Sequence, residues 1–191
     1  MSSLKLKTPS GGSVSFNATD TANDVTLTVP ASNASVITSA DSGTITQGML
    51  GSGVTGTGPA FSAYSTLNQT LSSGTKTKVI FDQVEWDTNS NFDNTSNYRF
   101  TPTIAGYYQF NAGVYYQASN NGFIMLDKNG ATQRRLGGMQ SGYGMVTGSA
   151  VLYMNGTTDY AELYAYDGGG TTINASSKTL LFFEAFLVRT A

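Results

Sequence analysis

The chain contains no cysteine and no histidine. Without cysteine there are no disulfides, no thiolate nucleophile and no zinc–thiolate site. Without histidine there is no Ser-His-Asp triad, no imidazole base and no commonest metal ligand. Charge is scarce as well. Only 12% of the 191 residues are Asp, Glu, Lys or Arg, and the formal net charge is -2. Soluble domains carry about 25%. A surface so poor in charge must be covered by Ser, Thr, Asn, Gln and Gly, as in extracellular all-β proteins and virus appendages. No basic tract exists beyond the Arg134-Arg135 pair. Binding by counterion release needs clustered Lys and Arg, so nucleic acid is not an expected partner. No run reaches the 18 or so apolar residues of a membrane helix, and the start, MSSLKLKTPSGG, has no apolar signal region. Membrane insertion is therefore not expected either. An outward-facing composition with neither cysteine nor signal points to a virion component, released by lysis.

What is present reads as strand. Hydrophobic residues make up 39% of the chain, enough for a core. No window shows an apolar stripe at helical spacing. From Ala60 onward, short apolar pieces are separated by polar turn residues. The strand candidates are 60–64, 79–81, 98–100, 106–117, 122–126, 143–153, 159–166 and 179–188. Asn129-Gly130 and Asn155-Gly156 have the chemistry of tight hairpin turns. The pattern predicts an antiparallel sandwich or jelly roll.

Residues 1–58 are different. They hold one aromatic, Phe16, of the 22 in the chain, and 20 of the 58 are Ser or Thr. Alternation at Leu4/Leu6, Val14/Phe16 and Val25/Leu27/Val29 predicts short strands, with Val36-Ile37 and Ile45 as further pieces. The expected organisation is a small β-rich module at 1–47, a Gly-rich linker at 48–58 and a head at 59–191. The Gly48–Pro59 stretch does not keep a collagen repeat.

The head's aromatic spacing carries a resemblance. Phe81, Asp87, Phe92, Phe100, Gly106, Tyr108 and Phe110 follow in order, and the chain closes on Leu181-Phe182-Phe183-Glu184-Ala185-Phe186-Leu187-Val188. Pro59-Ala60-Phe61-Ser62-Ala63-Tyr64 resembles a first strand. Together these motifs resemble the C1q/tumour-necrosis-factor-like head. There are two departures: one extra residue before Phe100, and Ala112 where the family has an aromatic. The resemblance implies an all-β, antiparallel, ten-strand-type jelly-roll sandwich that forms a threefold homotrimer. The N-terminal LKLKTPSGGSVSF…DVTLTVPAS resembles segments of tailed-phage fibre and virion structural proteins.

Candidate sites follow from these patterns. In an extended strand Tyr108, Phe110, Ala112, Val114 and Tyr116 share one face, and Tyr107, Gln109, Asn111, Tyr115 and Gln117 the other. The second face is too aromatic for solvent and too polar for a core. By the same alternation Tyr160, Glu162, Tyr164 and Tyr166 stand opposite Ala161, Leu163 and Ala165, so Tyr107, Gln109, Tyr115, Tyr164 and Tyr166 are the trimer-interface candidates. Asn120, Asn121, Gln140, Tyr143 and Asp167, on the loops 119–122, 137–143 and 166–172, are the ligand candidates. The expected partners are two further copies, other virion proteins through the N-terminal module, and host-surface glycan. No cofactor is expected. Calcium is the one metal considered, on Asp127, Asp159 or Asp167. An enzyme would need paired carboxylates, as in glycan-cleaving tailspikes. Asp159 and Asp167 flank one strand, about 25 Å apart at 3.3 Å per residue, too far for one site. The leading expectation is a non-enzymatic virion fibre or appendage, with a capsid-decorating cement trimer as the alternative.

Overall fold

A computed structural model describes residues 3–7, 9–11, 13–17 and 58–191. Contacts divide the chain into two compact units, Met1–Thr46 and Gln47–Ala191. In the first, β1 (Ser3–Lys7) pairs antiparallel with β2 (Ser13–Asn17). Leu4 stands opposite Phe16 and Leu6 opposite Val14, so both alternating pieces fall in one register. Gly11 has φ +87° in the turn between them, a conformation that glycine adopts without strain. The expected strands at Val25–Val29, Val36-Ile37 and Ile45, and the linker before Gly58, lie outside the described residues.

The second unit is an antiparallel jelly roll. Its strands are β3 (Ala60–Tyr64), β4 (Gln69–Leu71), β5 (Thr77–Lys78), β6 (Gln83–Asp87), β7 (Phe92–Asp93), β8 (Arg99–Phe100), β9 (Gly106–Lys128), β10 (Ala131–Met154), β11 (Ala161–Tyr166), β12 (Thr171–Asn174) and β13 (Leu181–Thr190). The expected strands at 106–117 and 122–126 are one strand, β9. It pairs along its whole length with β10 through the Asn129-Gly130 turn. Both turn residues have positive φ, 54° and 77°.

This hairpin cannot be straight. Met154 pairs with Gly106 at one end of β9, and Ala161 pairs with Lys128 at the other. A straight strand of that length would span about 75 Å. The connection 155–160 can reach about 25 Å at most. β9 and β10 therefore fold back on themselves. The corner falls where Asn121 has φ 62°, Gly142 has φ 98°, and the register slips between Gly142 and Gly144. The Tyr116 hydroxyl donates to the Phe123 carbonyl at 2.9 Å and braces the two arms.

Folding in half makes two leaves out of one continuous ladder. Leaf one runs β6–β3–β13–β9 (106–114)–β10 (146–154). Leaf two runs β7–β8–β11–β9 (123–128)–β10 (131–138). β5 also pairs with β11 on leaf two, and β12 pairs with β4 and with β9 at Tyr115 and Tyr116 beside the corner. Asn155-Gly156 is not a hairpin turn, because β10 and β11 do not pair; it starts the crossing from leaf one to leaf two. The Asn155 side-chain carbonyl caps that crossing by accepting the Thr157, Thr158 and Asp159 N–H groups. The expected strand at 79–81 also crosses between leaves. β5 pairs with β11 and β6 with β3, while the Val79 and Phe81 side chains enter the core fully buried.

Aromatic rings from both leaves fill the core. Phe61 stacks on Phe92 and Phe100 at 4.7 and 4.6 Å, and Phe183 on Phe81 and Phe110 at 5.7 and 5.9 Å. The Phe81/Phe92/Phe100/Phe110 spacing of the sequence is thus one packed cluster. Ala112 is buried opposite Phe183 in the neighbouring strand. The extra residue before Phe100 sits in a turn built on Asp93, whose carboxylate accepts the Thr95, Ser96 and Asn97 N–H groups at 2.9–3.0 Å.

Phe183 touches Phe61, Phe81, Phe92 and Phe110. Phe183→Ala is expected to cost about 3–5 kcal/mol of unfolding free energy, read from urea denaturation. A loss under 1 kcal/mol would show that the rings do not pack as described.

Candidate interaction face and loop cluster

Leaf one presents its outer face through four cross-strand rows. They are Arg189–Tyr107–Tyr153, then Ala60–Phe186–Gln109–Val151, then Trp86–Ser62–Glu184–Asn111–Ser149, then Gln83–Tyr64–Phe182–Gly113–Thr147. Tyr115 and Met145 continue them. The opposite parity, Tyr108, Phe110, Ala112, Val114 and Tyr116, is buried as the strand period requires. Six large apolar side chains stand exposed on this outer face: Trp86, Tyr107, Met145, Val151, Tyr153 and Phe186, at 37–47%. Tyr107 and Tyr153 lie ring to ring at 5.6 Å. The Met145 methyl and the Phe182 ring cover Gly113, each 2.4 Å from where a Cβ would stand, so a side chain there would displace them. One polar row crosses the apolar field, with the Ser62 hydroxyl donating to Glu184 at 3.3 Å. Beside it is an open groove of about 350 Å³, lined by Ser62, Tyr64, Glu85, Lys178, Phe182 and Glu184, with Lys178 paired to Glu85.

The five interface candidates divide between two faces. Tyr107, Gln109 and Tyr115 lie on leaf one. Tyr164 and Tyr166 lie on leaf two, whose outer face points the other way. Tyr164 is enclosed there. The Lys76 ammonium sits 4.4 Å from its ring, and its hydroxyl donates to Glu162 at 3.3 Å. Burial, with the Glu162 and Asp127 charges, pushes the Tyr164 phenol up to about 12. Tyr166 stacks on Phe123 at 4.5 Å. A single flat interface takes the first three and not the last two. Sequence reasoning missed Trp86, Met145, Val151, Tyr153 and Phe186. The alternation of β10 and β13 carried the signal, but the parity of each strand is set only by its register with β9.

The ligand candidates do come together, at the corner end of the sandwich. The segments 119–122 and 137–143 are paired strand where loops were expected, with Asn120 opposite Ser141 and Ser119 opposite Gly142. The 166–172 loop joins them, as the Gly168 N–H donates to the Asn120 carbonyl at 2.8 Å. Asn120, Asn121 and Gln140 are exposed, and Tyr143 is 77% exposed. Asp167 is fully buried and does not face outward. Its Oδ2 accepts from the Ser119 hydroxyl and the Asn120 N–H at 2.8 and 2.9 Å, and its Oδ1 from the Gly169 N–H at 3.0 Å. It holds the corner from inside.

The calcium candidates are taken up in the same way. Asp127 is held by Lys76 at 2.5 Å and by the Thr132 hydroxyl at 2.8 Å. Asp159 is held by Lys128 at 2.6 Å, the Asn129 amide at 2.7 Å and the Asn155 N–H at 2.9 Å. Each carboxylate belongs to a different part of the fold and already has its donors. The three do not form a calcium site, and no cluster of three or more acidic residues is placed to hold a metal among the described residues.

A family profile described as "C1q domain" matches residues 60–188. Solved structures resemble the chain at low identity. Murine APRIL at pH 8.0 has TM-score 0.53 and 11% identity, over 68% of this chain and 98% of that one. Eiger TNF from S. frugiperda has TM-score 0.51 and 12% identity, over 70% and 92%. PRD1 vertex protein P5 has TM-score 0.51 and 12% identity, over 71% and 100%. No curated protein matches the sequence. At these identities the structures show the fold alone.

Two outcomes follow from the hydrogen-bonded carboxylates. Asp167→Ala strips three donors of their acceptor and is expected to cost about 2–4 kcal/mol in urea denaturation; no change would remove its bracing role. Asp82 and Asp159 are held below the usual carboxylate range: burial opposes ionisation, but hydrogen bonds from Thr66 and Gln83, and from Lys128, Asn129 and Asn155, outweigh it. Asp93 is held lower still by the Ser96 and Thr95 N–H groups. A depressed folded value contributes stability above the unfolded value, near 4, that is lost as pH falls through the folded one. The thermal midpoint is expected to stay level from about pH 7 to 5 and to drop below about pH 4. Asp159→Asn should shrink that drop; an unchanged acid limb would exclude it as a contributor.

Proposed function

Because the chain belongs to the C1q domain family, and leaf one leaves an apolar face uncovered, we propose that it is a homotrimeric, non-enzymatic virion structural protein of a tailed phage. It serves as a fibre or appendage whose head is exposed and meets the host surface, with the N-terminal module facing other virion proteins. The observation that carries this reading is the leaf-one face. Monomeric soluble proteins rarely leave this many large apolar side chains together on one face in water. Two further copies can cover it around a closed threefold axis. That arrangement uses Tyr107, Gln109 and Tyr115 and keeps the corner cluster at one end of the assembly. Exposed Asn120, Asn121, Gln140 and Tyr143 suit a polar, weakly charged ligand such as surface glycan, since aromatic faces and amides bind with little charge. Three copies would multiply weak contacts on a repetitive surface. The scarcity of charge and the likeness to the fold of a phage vertex protein support the virion setting.

A capsid-decorating cement trimer is the second reading, favoured by the vertex position in that neighbour's name. Particles lacking the protein separate the two. Intact heads that fail to adsorb support the appendage; heads that burst on heating or at low salt support cement.

Oligomeric state tests the interface. Light scattering is expected to give three times the chain mass for the native protein. Tyr107→Glu combined with Val151→Lys is expected to give a folded monomer, since both charges would be buried in the contact. A monomeric native chain would overturn the trimer.

A further inference from the structure

The cations of the head divide by type. Lys76, Lys78, Lys128 and Lys178 are each paired with a carboxylate. Among the described residues, Arg99, Arg134, Arg135 and Arg189 have no carboxylate partner. A guanidinium offers a planar fork of donors that matches a carboxylate or phosphate, so a free and fixed one is an anion receptor in form. Two of them lie over rings: Arg99 is 4.3 Å from the centre of Tyr160, and Arg135 lies over a ring that is itself stacked on another. The Arg135 guanidinium lies 3.9 Å from the centre of the Phe123 ring, and Phe123 stacks on Tyr166 at 4.5 Å and 21°. The three side chains cross β10, β9 and β11 on the outer face of leaf two. Cation–π stacking holds the charge without using its N–H donors.

The backbone is arranged for this stack. Gly138, Phe123 and Tyr166 stand in one cross-strand row. A Cβ at Gly138 would come within 2.7 Å of Arg135 Nη2. The missing side chain is the slot in which the guanidinium lies. Arg134, next in sequence, is exposed and turns back to donate to the Gln133 carbonyl at 2.7 Å. From Arg135 the face runs past Phe123 to the exposed amides of Asn120 and Asn121 at the corner.

We propose that the Arg135–Phe123–Tyr166 stack is a binding platform for the carboxylate or phosphate groups of an anionic polysaccharide. The guanidinium fork takes the anionic group, and the aromatic stack and corner amides take the adjoining sugars. The proposal deepens the surface-binding reading above by naming its ligand class. It needs no trimer, because the platform lies within one chain on the leaf opposite the interface face.

The test is titration calorimetry of the full chain against polygalacturonate, a phosphomannan and dextran. The carboxylate polymer, the phosphate polymer or both should bind, and dextran should not. Arg135→Ala and Arg135→Lys should each weaken binding about ten-fold or more, the lysine because it keeps the charge and loses the fork. Gly138→Ala, which fills the slot, should weaken it with Arg135 still present. Arg134→Ala removes the same net charge and should change affinity less than three-fold or so, because its guanidinium donates to the Gln133 carbonyl and is not part of the stack. Thermal midpoints check that each variant is folded. Equal losses for Arg134→Ala and Arg135→Ala, equal binding of dextran, or no binding of either anionic polymer would overturn the platform. Light scattering on the same samples judges the trimer separately. A monomer that still binds with the Arg135 dependence would overturn the trimer and leave the platform standing.

Discussion

The fold depends on one hairpin bent in half. β9 and β10 supply two adjacent strands to each leaf, and β11, β12 and β13 also pair directly with β9. β13 takes the free edge of its first arm and β11 the free edge of its second. Because both arms belong to the same strand, the bend fixes which side chains of the two leaves face each other. Phe110 on one arm meets Phe100, delivered to the other leaf by β8 through β11. A straight hairpin would expose both apolar rows to water. Burial of those rings, worth about 2–3 kcal/mol each, is the force that favours the bend.

A fold with few charges uses them as internal braces. Asp167 ties the corner, and Asp159 ties the opposite crossing to the β9–β10 turn. Asp127 and Glu162 stand side by side on leaf two, each under a lysine, at 2.5 Å in both pairs. Two adjacent buried carboxylates would repel each other, and Lys76 and Lys78 offset that repulsion. Tyr164 fills the space between with an apolar ring and one hydroxyl. The head's lysines are thereby consumed in structure, and among the described residues its arginines are left without a carboxylate partner.

The two leaves therefore offer different surfaces. Leaf one is broad and apolar, with one polar row across it, and is suited to a copy of itself. Leaf two is aromatic rings overlaid by cations, suited to a small anionic or polar ligand. The corner cluster lies at the end where the arms of β9 and β10 turn, within reach of ligands on leaf two. A trimer through leaf one would leave leaf two outward on all three subunits, so the two roles are compatible within one particle.

The sequence by itself determined the class and the contents of the core. Alternation and turn residues specified antiparallel strands, and the Phe81/Phe92/Phe100/Phe110 spacing named rings that do pack together. It also determined the exclusions, since missing Cys and His remove their chemistry wherever the chain goes. It did not show that residues 106–128 form one strand, because Ser119–Gly122 has loop composition and only pairing with 138–142 keeps it in the ladder. It offered Asp167 as an outward ligand group, because an Asp before three glycines looks the same whether its carboxylate points to water or to buried N–H donors. It grouped Tyr164 with Tyr107 by parity within each strand. Parity repeats every two residues along one strand, but which way that face points is decided between strands. Register across the folded hairpin, a long-range property, placed those tyrosines on opposite sides of the molecule.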